Sequence, residues 1–147
     1  MNKETDAFTK VTSWWVDIHF NSERCNGAAA VRFIVSGDGR EVAVVSYDGQ
    51  DWLFVPDSGG LRLRAGQLVI DPTDANHVVH RTNSGSDYAY PITEIQAHEL
   101  PRGTLSRLSD SSVTQIRIQG TEGICDATLD RGDHQWIKGL LNASRQH

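Results

Sequence analysis

A length of 147 residues suffices for one domain with its own core, and 38% hydrophobic with 22% charged residues is an ordinary globular composition. The formal charge is −5 and the 14 Lys and Arg are scattered, which argues against a nucleic-acid partner, because phosphates require concentrated basic side chains. No apolar run approaches the roughly 20 residues of a membrane-spanning helix, so membrane insertion is excluded as well.

Residues 1–10 are polar and are expected to fray; residues 11–147 are expected to form a single β-rich domain. The clearest periodicity follows at once. Trp14, Val16, Ile18 and Phe20 alternate with Trp15, Asp17 and His19, the period of two that marks a strand with one buried face. Residues 31–55 read as a three-stranded meander. Val31, Phe33 and Val35 alternate with Arg32, Ile34 and Ser36. Gly37-Asp38-Gly39 makes the first turn, since glycine reaches the positive φ that hairpins need. Val42-Ala43-Val44-Val45 is apolar on both faces, as a central strand would be, and Asp48-Gly49 signals a second turn before Trp52-Leu53-Phe54-Val55.

Leu61 and Leu63 alternate with Arg62 and Arg64, a pair read as a solvated strand face. Short extended runs follow at Leu68-Val69-Ile70 and His77-Val78-Val79-His80. Tyr88-Ala89-Tyr90-Pro91-Ile92 reads as an edge strand, because Pro91 lacks an N–H. Pro101 opens a short helix with Leu105 and Leu108 on one face. Thr114, Ile116 and Ile118 form a half-buried strand, and Gly120 to Gly123 turn it into residues 124–129. The chain closes on an amphipathic helix capped by Asp130 or Asp133, with Trp136, Ile137, Leu140 and Leu141 as its apolar face. The fold class is therefore mainly β: an antiparallel sandwich or rolled sheet with a C-terminal helix packed on it.

Catalytic signatures are absent. There is no GxSxG elbow and no phosphate-cradling glycine loop before a helix, and His98-Glu99 lacks a positioned third group. His77 and His80 stand three apart, which on a strand sends them to opposite faces; with His98 they make only a weak metal set. No metal, cofactor or enzymatic activity is expected. Adjacent tryptophans place Trp15 on the polar face with Asp17 and His19, where an exposed Trp would act as an interface anchor. Alternatively, the C-terminal helix covers that face and makes Trp15 core. Tyr88 and Tyr90, on the expected edge, complete the interface set, and unpaired edge groups invite a homodimer.

The leading expectation is a non-enzymatic module that binds another protein, as an inhibitor, adaptor or immunity-type factor. The alternative is a small-ligand binder with Trp14, Trp52, Phe33 and Phe54 lining an apolar cavity. Two cysteines bear on the compartment. Free, Cys25 and Cys125 fit a reducing cytosol; bridged, they close a loop of about 100 residues, worth up to roughly 4–5 kcal/mol. The N-terminus lacks the apolar core of a signal peptide, which gives a cytoplasmic protein if the chain is complete and a periplasmic one if a signal has been removed. The strand–turn–strand–helix order of residues 113–143 resembles small β-sandwich proteins of bacterial envelopes, including the invasion-associated kind, and that resemblance implies a periplasmic setting.

Overall fold

The computed structural model describes residues 1–20, 25, 27–72, 74–75, 77–84 and 90–145. Its first strand, β1 (Asn2–Thr5), lies within the segment expected to fray, is exposed throughout and pairs antiparallel with β2 (Thr12–His19). The alternation in β2 sorts its side chains as expected. Trp14, Val16 and Ile18 are buried, while Trp15, Asp17 and His19 face outward. β3 (Gly27–Ser36) continues the pattern, setting Val35, Phe33 and Val31 opposite those three core residues. Gly39, at φ +89°, turns the chain into β4 (Glu41–Gly49), and the Ser36 and Arg40 backbones close the turn.

The third strand of the expected meander does not form. Residues 52–55 leave the sheet because Phe54 sits at φ +53°, outside extended conformation. Beyond them β5 (Leu61–Ala65) and β6 (Leu68–Ile70) make a hairpin. β7 (His77–Thr82) and β8 (Ile92–Leu100) then return to the first sheet, where β8 takes the free edge of β4 over its whole length, from Glu41 opposite Leu100 to Gly49 opposite Ile92. Pro91 stands just before β8, which β4 and β7 flank, so β8 is not an edge; among the described residues the edges of this sheet are β1 and β7.

α1 (Thr104–Asp110) buries Leu105 and Leu108. Its N-terminus is capped from a distance: the buried Glu41 carboxylate accepts from the backbone N–H of Gly103 at 2.7 Å and of Leu105 at 2.8 Å. A negative charge there opposes the positive end of the helix dipole. β9 (Thr114–Gln119), β10 (Ile124–Thr128) and α2 (Arg131–Arg145) complete the chain. Both expected caps of α2 act together. Asp130 N–H donates to Asp133 Oδ2 at 3.0 Å, and Asp133 N–H donates to Asp130 Oδ1 at 2.8 Å, a reciprocal box.

Among the described residues the strands form two antiparallel sheets, β1-β2-β3-β4-β8-β7 and β10-β9-β5-β6, with no closed barrel. One continuous core joins Phe33 and Val45 of the first sheet to Leu63 and Ile116 of the second, and to Ile137, Leu140 and Leu141 of α2. Two expectations about α2 are corrected. It packs on β2 and β3 from the core side with Trp14, not over Trp15. Trp136 is 51% exposed; it stands roughly 100° around the helix from Ile137, at the edge of the buried stripe.

Cys25 and Cys125 form a disulfide across 100 positions, tying the connection after β2 to β10 in the other sheet. Removing it in a C25A/C125A double variant should cost about 2–5 kcal/mol through the freer unfolded chain, read as a lower urea midpoint. An unchanged midpoint would show that the fold does not lean on the bridge.

Candidate functional site

The inner face of β8 is polar. Glu94, Gln96 and His98 recur there at a period of two, and all three are buried, Glu94 to 1% exposure. A buried carboxylate is costly unless hydrogen-bonded. Here the bonds come from the residues that failed to become a strand. Glu94 Oε2 accepts from Leu53 N–H at 2.8 Å, and Oε1 accepts from Val55 N–H at 3.0 Å. Gln96 Nε2 donates to the carbonyls of Val55 at 2.7 Å and Pro56 at 3.0 Å, and Gln96 Oε1 lies 3.1 Å from His98 Nε2.

The turn between β9 and β10 holds the same segment from the other sheet. Glu122 N–H donates to Leu53 C=O at 3.1 Å, and Thr121 N–H donates to Phe54 C=O at 3.3 Å. That approach requires Gly120, where a Cβ would lie 1.9 Å from the Leu53 oxygen. Residues 51–56 are thus a strap across the gap between the sheets, held by β8 side chains and by backbone of the β9–β10 turn.

The strap has two faces. Leu53 and Val55 point into the core. Trp52 and Phe54 point out and stack, ring centroids 5.7 Å apart and 18° from parallel. Phe54 is 47% exposed and holds a left-handed backbone, unfavourable by about 1–3 kcal/mol for a bulky side chain. His80 flanks the pair, its ring 6.0 Å from Trp52 and its Nε2 3.8 Å from Glu94 Oε1. Tyr47 closes the back, its hydroxyl donating to the Asp51 carbonyl at 2.9 Å. Burial, and then the nearby Glu94 charge, push its phenol above the ordinary tyrosine range. Beside the strap opens a recess of about 440 Å³, lined by Tyr47, Asp51, Trp52, Phe54, Glu122 and Ile124.

The residues expected to share a ligand cavity separate. Trp52 and Phe54 lie together on the strap, whereas Trp14 and Phe33 are packed in the core. Of the interface set, Trp15, Asp17 and His19 share the open face of the first sheet. Arg32 lies 5.4 Å over the Trp15 ring and grips Asp17 at 2.7 and 3.1 Å, which lowers the Asp17 carboxyl pKa. Tyr90 is half-buried, its carbonyl accepting from Asn83 Nδ2 at 3.1 Å; Tyr88 lies outside the described residues. His77, described by backbone alone, and His80 occupy opposite-face positions of β7, while His98 is buried against Gln96. Among the described residues no three His, Cys, Asp or Glu side chains are grouped to hold a metal ion, and no helix is long and apolar enough to cross a membrane. No family model, no curated protein and no solved structure matches the chain.

The strap itself escaped sequence reasoning, since an apolar tetrapeptide after Asp-Gly reads as a strand. The available signal was Glu94-x-Gln96-x-His98, polar residues at strand period facing an apolar partner strand. E94Q would leave one acceptor oxygen for one of the two backbone N–H groups and set its own NH2 donor against the other. Stability should fall by about 1–3 kcal/mol, with faster amide exchange at Leu53 and Val55. Unchanged exchange there would show that the carboxylate does not hold the strap.

The raised Tyr47 pKa gives the pH dependence its sign. The neutral phenol is the form the fold favours, so its contribution is complete below the ordinary value of about 10 and is lost as pH rises through the folded value. Ultraviolet titration should therefore show one tyrosine ionising late, together with alkaline unfolding, and Y47F should remove that late step.

Proposed function

We propose that the chain is a non-enzymatic binding module for another protein, with the strap carrying Trp52 and Phe54 as its recognition element. The observation that carries this reading is Phe54: a large, exposed aromatic in a strained conformation, on a backbone pinned from both sides. Aromatic anchors supply much of the energy of protein interfaces, and a rigid one loses little freedom on binding. Strain of this kind persists only where the surroundings over-determine it, and such positions cluster at functional sites. The polar groups beneath are occupied in holding the strap, which fits presentation better than acid–base chemistry.

An inhibitor, adaptor or immunity-type factor fits such a module. The disulfide supports an oxidising compartment. A second copy is the simplest protein partner, and light scattering at micromolar concentration distinguishes it from a foreign one. A small ligand beside Trp52 is the second reading, favoured by the size of the recess, about 440 Å³, which lies within the usual range for such sites.

Partners captured from the native host by the wild-type chain and lost with F54A should be purified and titrated. F54A is expected to weaken binding by about 2 kcal/mol, roughly thirtyfold in Kd. F54G relieves the left-handed strain and should be at least as stable as wild type while binding as weakly as F54A. Equal affinity for wild type and both variants overturns the reading. A small molecule retained in native mass spectra and lost in a W52A variant would favour the second one.

A further inference from the structure

The face of the second sheet that looks away from the core inverts the charge of the chain. Arg62 and Arg64 share that face of β5, and β9 places Arg117 directly opposite Arg62 and Gln115 opposite Arg64. Like charges directly opposite on a sheet are destabilising, and this pair is offset from the sides. Asp126 takes Arg117 in a two-point bond at 2.8 and 3.0 Å, and Asp71 lies 3.3 Å from Arg62. Arg64 is held by neutral acceptors instead, the Gly66 carbonyl at 2.7 Å and Gln115 Oε1 at 3.2 Å. Among the described residues no carboxylate pairs with it. Three guanidiniums thus meet two carboxylates, in a chain whose net charge is −5. They border a recess of about 240 Å³ that includes Val69, 55% exposed.

We propose that this face binds an extended acidic segment of a partner protein, with carboxylates at alternate positions seated on Arg62 and Arg64. The spacing carries the assignment. Same-face residues on a strand are roughly 7 Å apart, so acidic side chains two apart on an extended peptide match Arg62 and Arg64. Arg117, roughly 5 Å across from Arg62, closes on the same carboxylate as Arg62. The guanidinium fork gives two parallel bonds to each carboxylate, and Val69, paired with Arg64 across the hairpin, offers apolar contact to the methylene groups of the acidic side chain seated there. Three arginines offset by Asp71 and Asp126 suit one or two carboxylates and not a polynucleotide, whose binding requires many phosphates to be neutralised by clustered basic side chains. This surface is separate from the Trp52–Phe54 strap and the proposal does not rest on it.

The test is a nuclear magnetic resonance titration of the intact, disulfide-bonded protein at low salt, following the Arg Nε–H signals. The probe is the acetylated, amidated peptide Thr-Glu-Thr-Glu-Thr-Glu, run beside its Gln counterpart and a single-stranded hexanucleotide. The Glu peptide should shift the Arg62, Arg64 and Arg117 signals and bind about tenfold or more tighter than the Gln peptide. R62Q and R64Q should each lose most of that advantage with unchanged melting temperature, and R64K, which keeps charge without the fork, should fall between. Equal binding of the Glu and Gln peptides, undiminished binding in both Gln variants, or tighter binding of the hexanucleotide overturns the proposal.

Discussion

The carboxylate of Glu94 is the constraint around which the molecule is arranged. It sits almost fully buried on the inner face of a central strand and receives two backbone N–H groups from the strap. Removed from water, it would be intolerable without them; without it, the strap would leave its own donors unsatisfied where the two sheets meet. Each therefore makes the other permissible. Glu41 repeats the device at the other end of the same face, capping α1. The first sheet thus uses two buried acids to fasten the non-strand elements that close the sandwich.

That fastening has a consequence at the surface. A free chain would not keep Phe54 left-handed and solvent-exposed. Bonds to Glu94, Gln96 and the β9–β10 turn leave the strap no alternative, and Leu53 and Val55 anchor it into the core on either side. The strain is carried by the whole sandwich, and the exposed aromatic pair is its product. That apolar tip beside an open recess is what supports the proposed binding role. The arginine face of the second sheet offers a chemically different surface on separate residues.

The legible part of the fold was the part governed by local periodicity. The β2 alternation, the Gly37-Asp38-Gly39 turn, the β9–β10 hairpin and the capped C-terminal helix all read directly from residue order. The departures arise where distant contacts or the docking of a whole element decide. Residues 52–55 are apolar in the manner of a strand, but their partners are the distant side chains of Glu94 and Gln96 and the backbone of the β9–β10 turn. Trp136 looked like part of a helical face because adjacency on the wheel is not burial. Trp15 could have been core or surface depending on which side α2 docked, a choice no local pattern encodes.

What the sequence determined by itself was periodicity, and with it most of the strands, both helices and the buried side of strands such as β2 and β9, because those follow from backbone geometry within a few residues. The tertiary structure decided the pairings between distant segments: β8 beside β4, Cys25 with Cys125, Arg62 opposite Arg117, and the strap on Glu94. Each depends on satisfying buried polar groups or charges that are far apart in the chain. Such groups acquire their energetic meaning only once water has been excluded from between them.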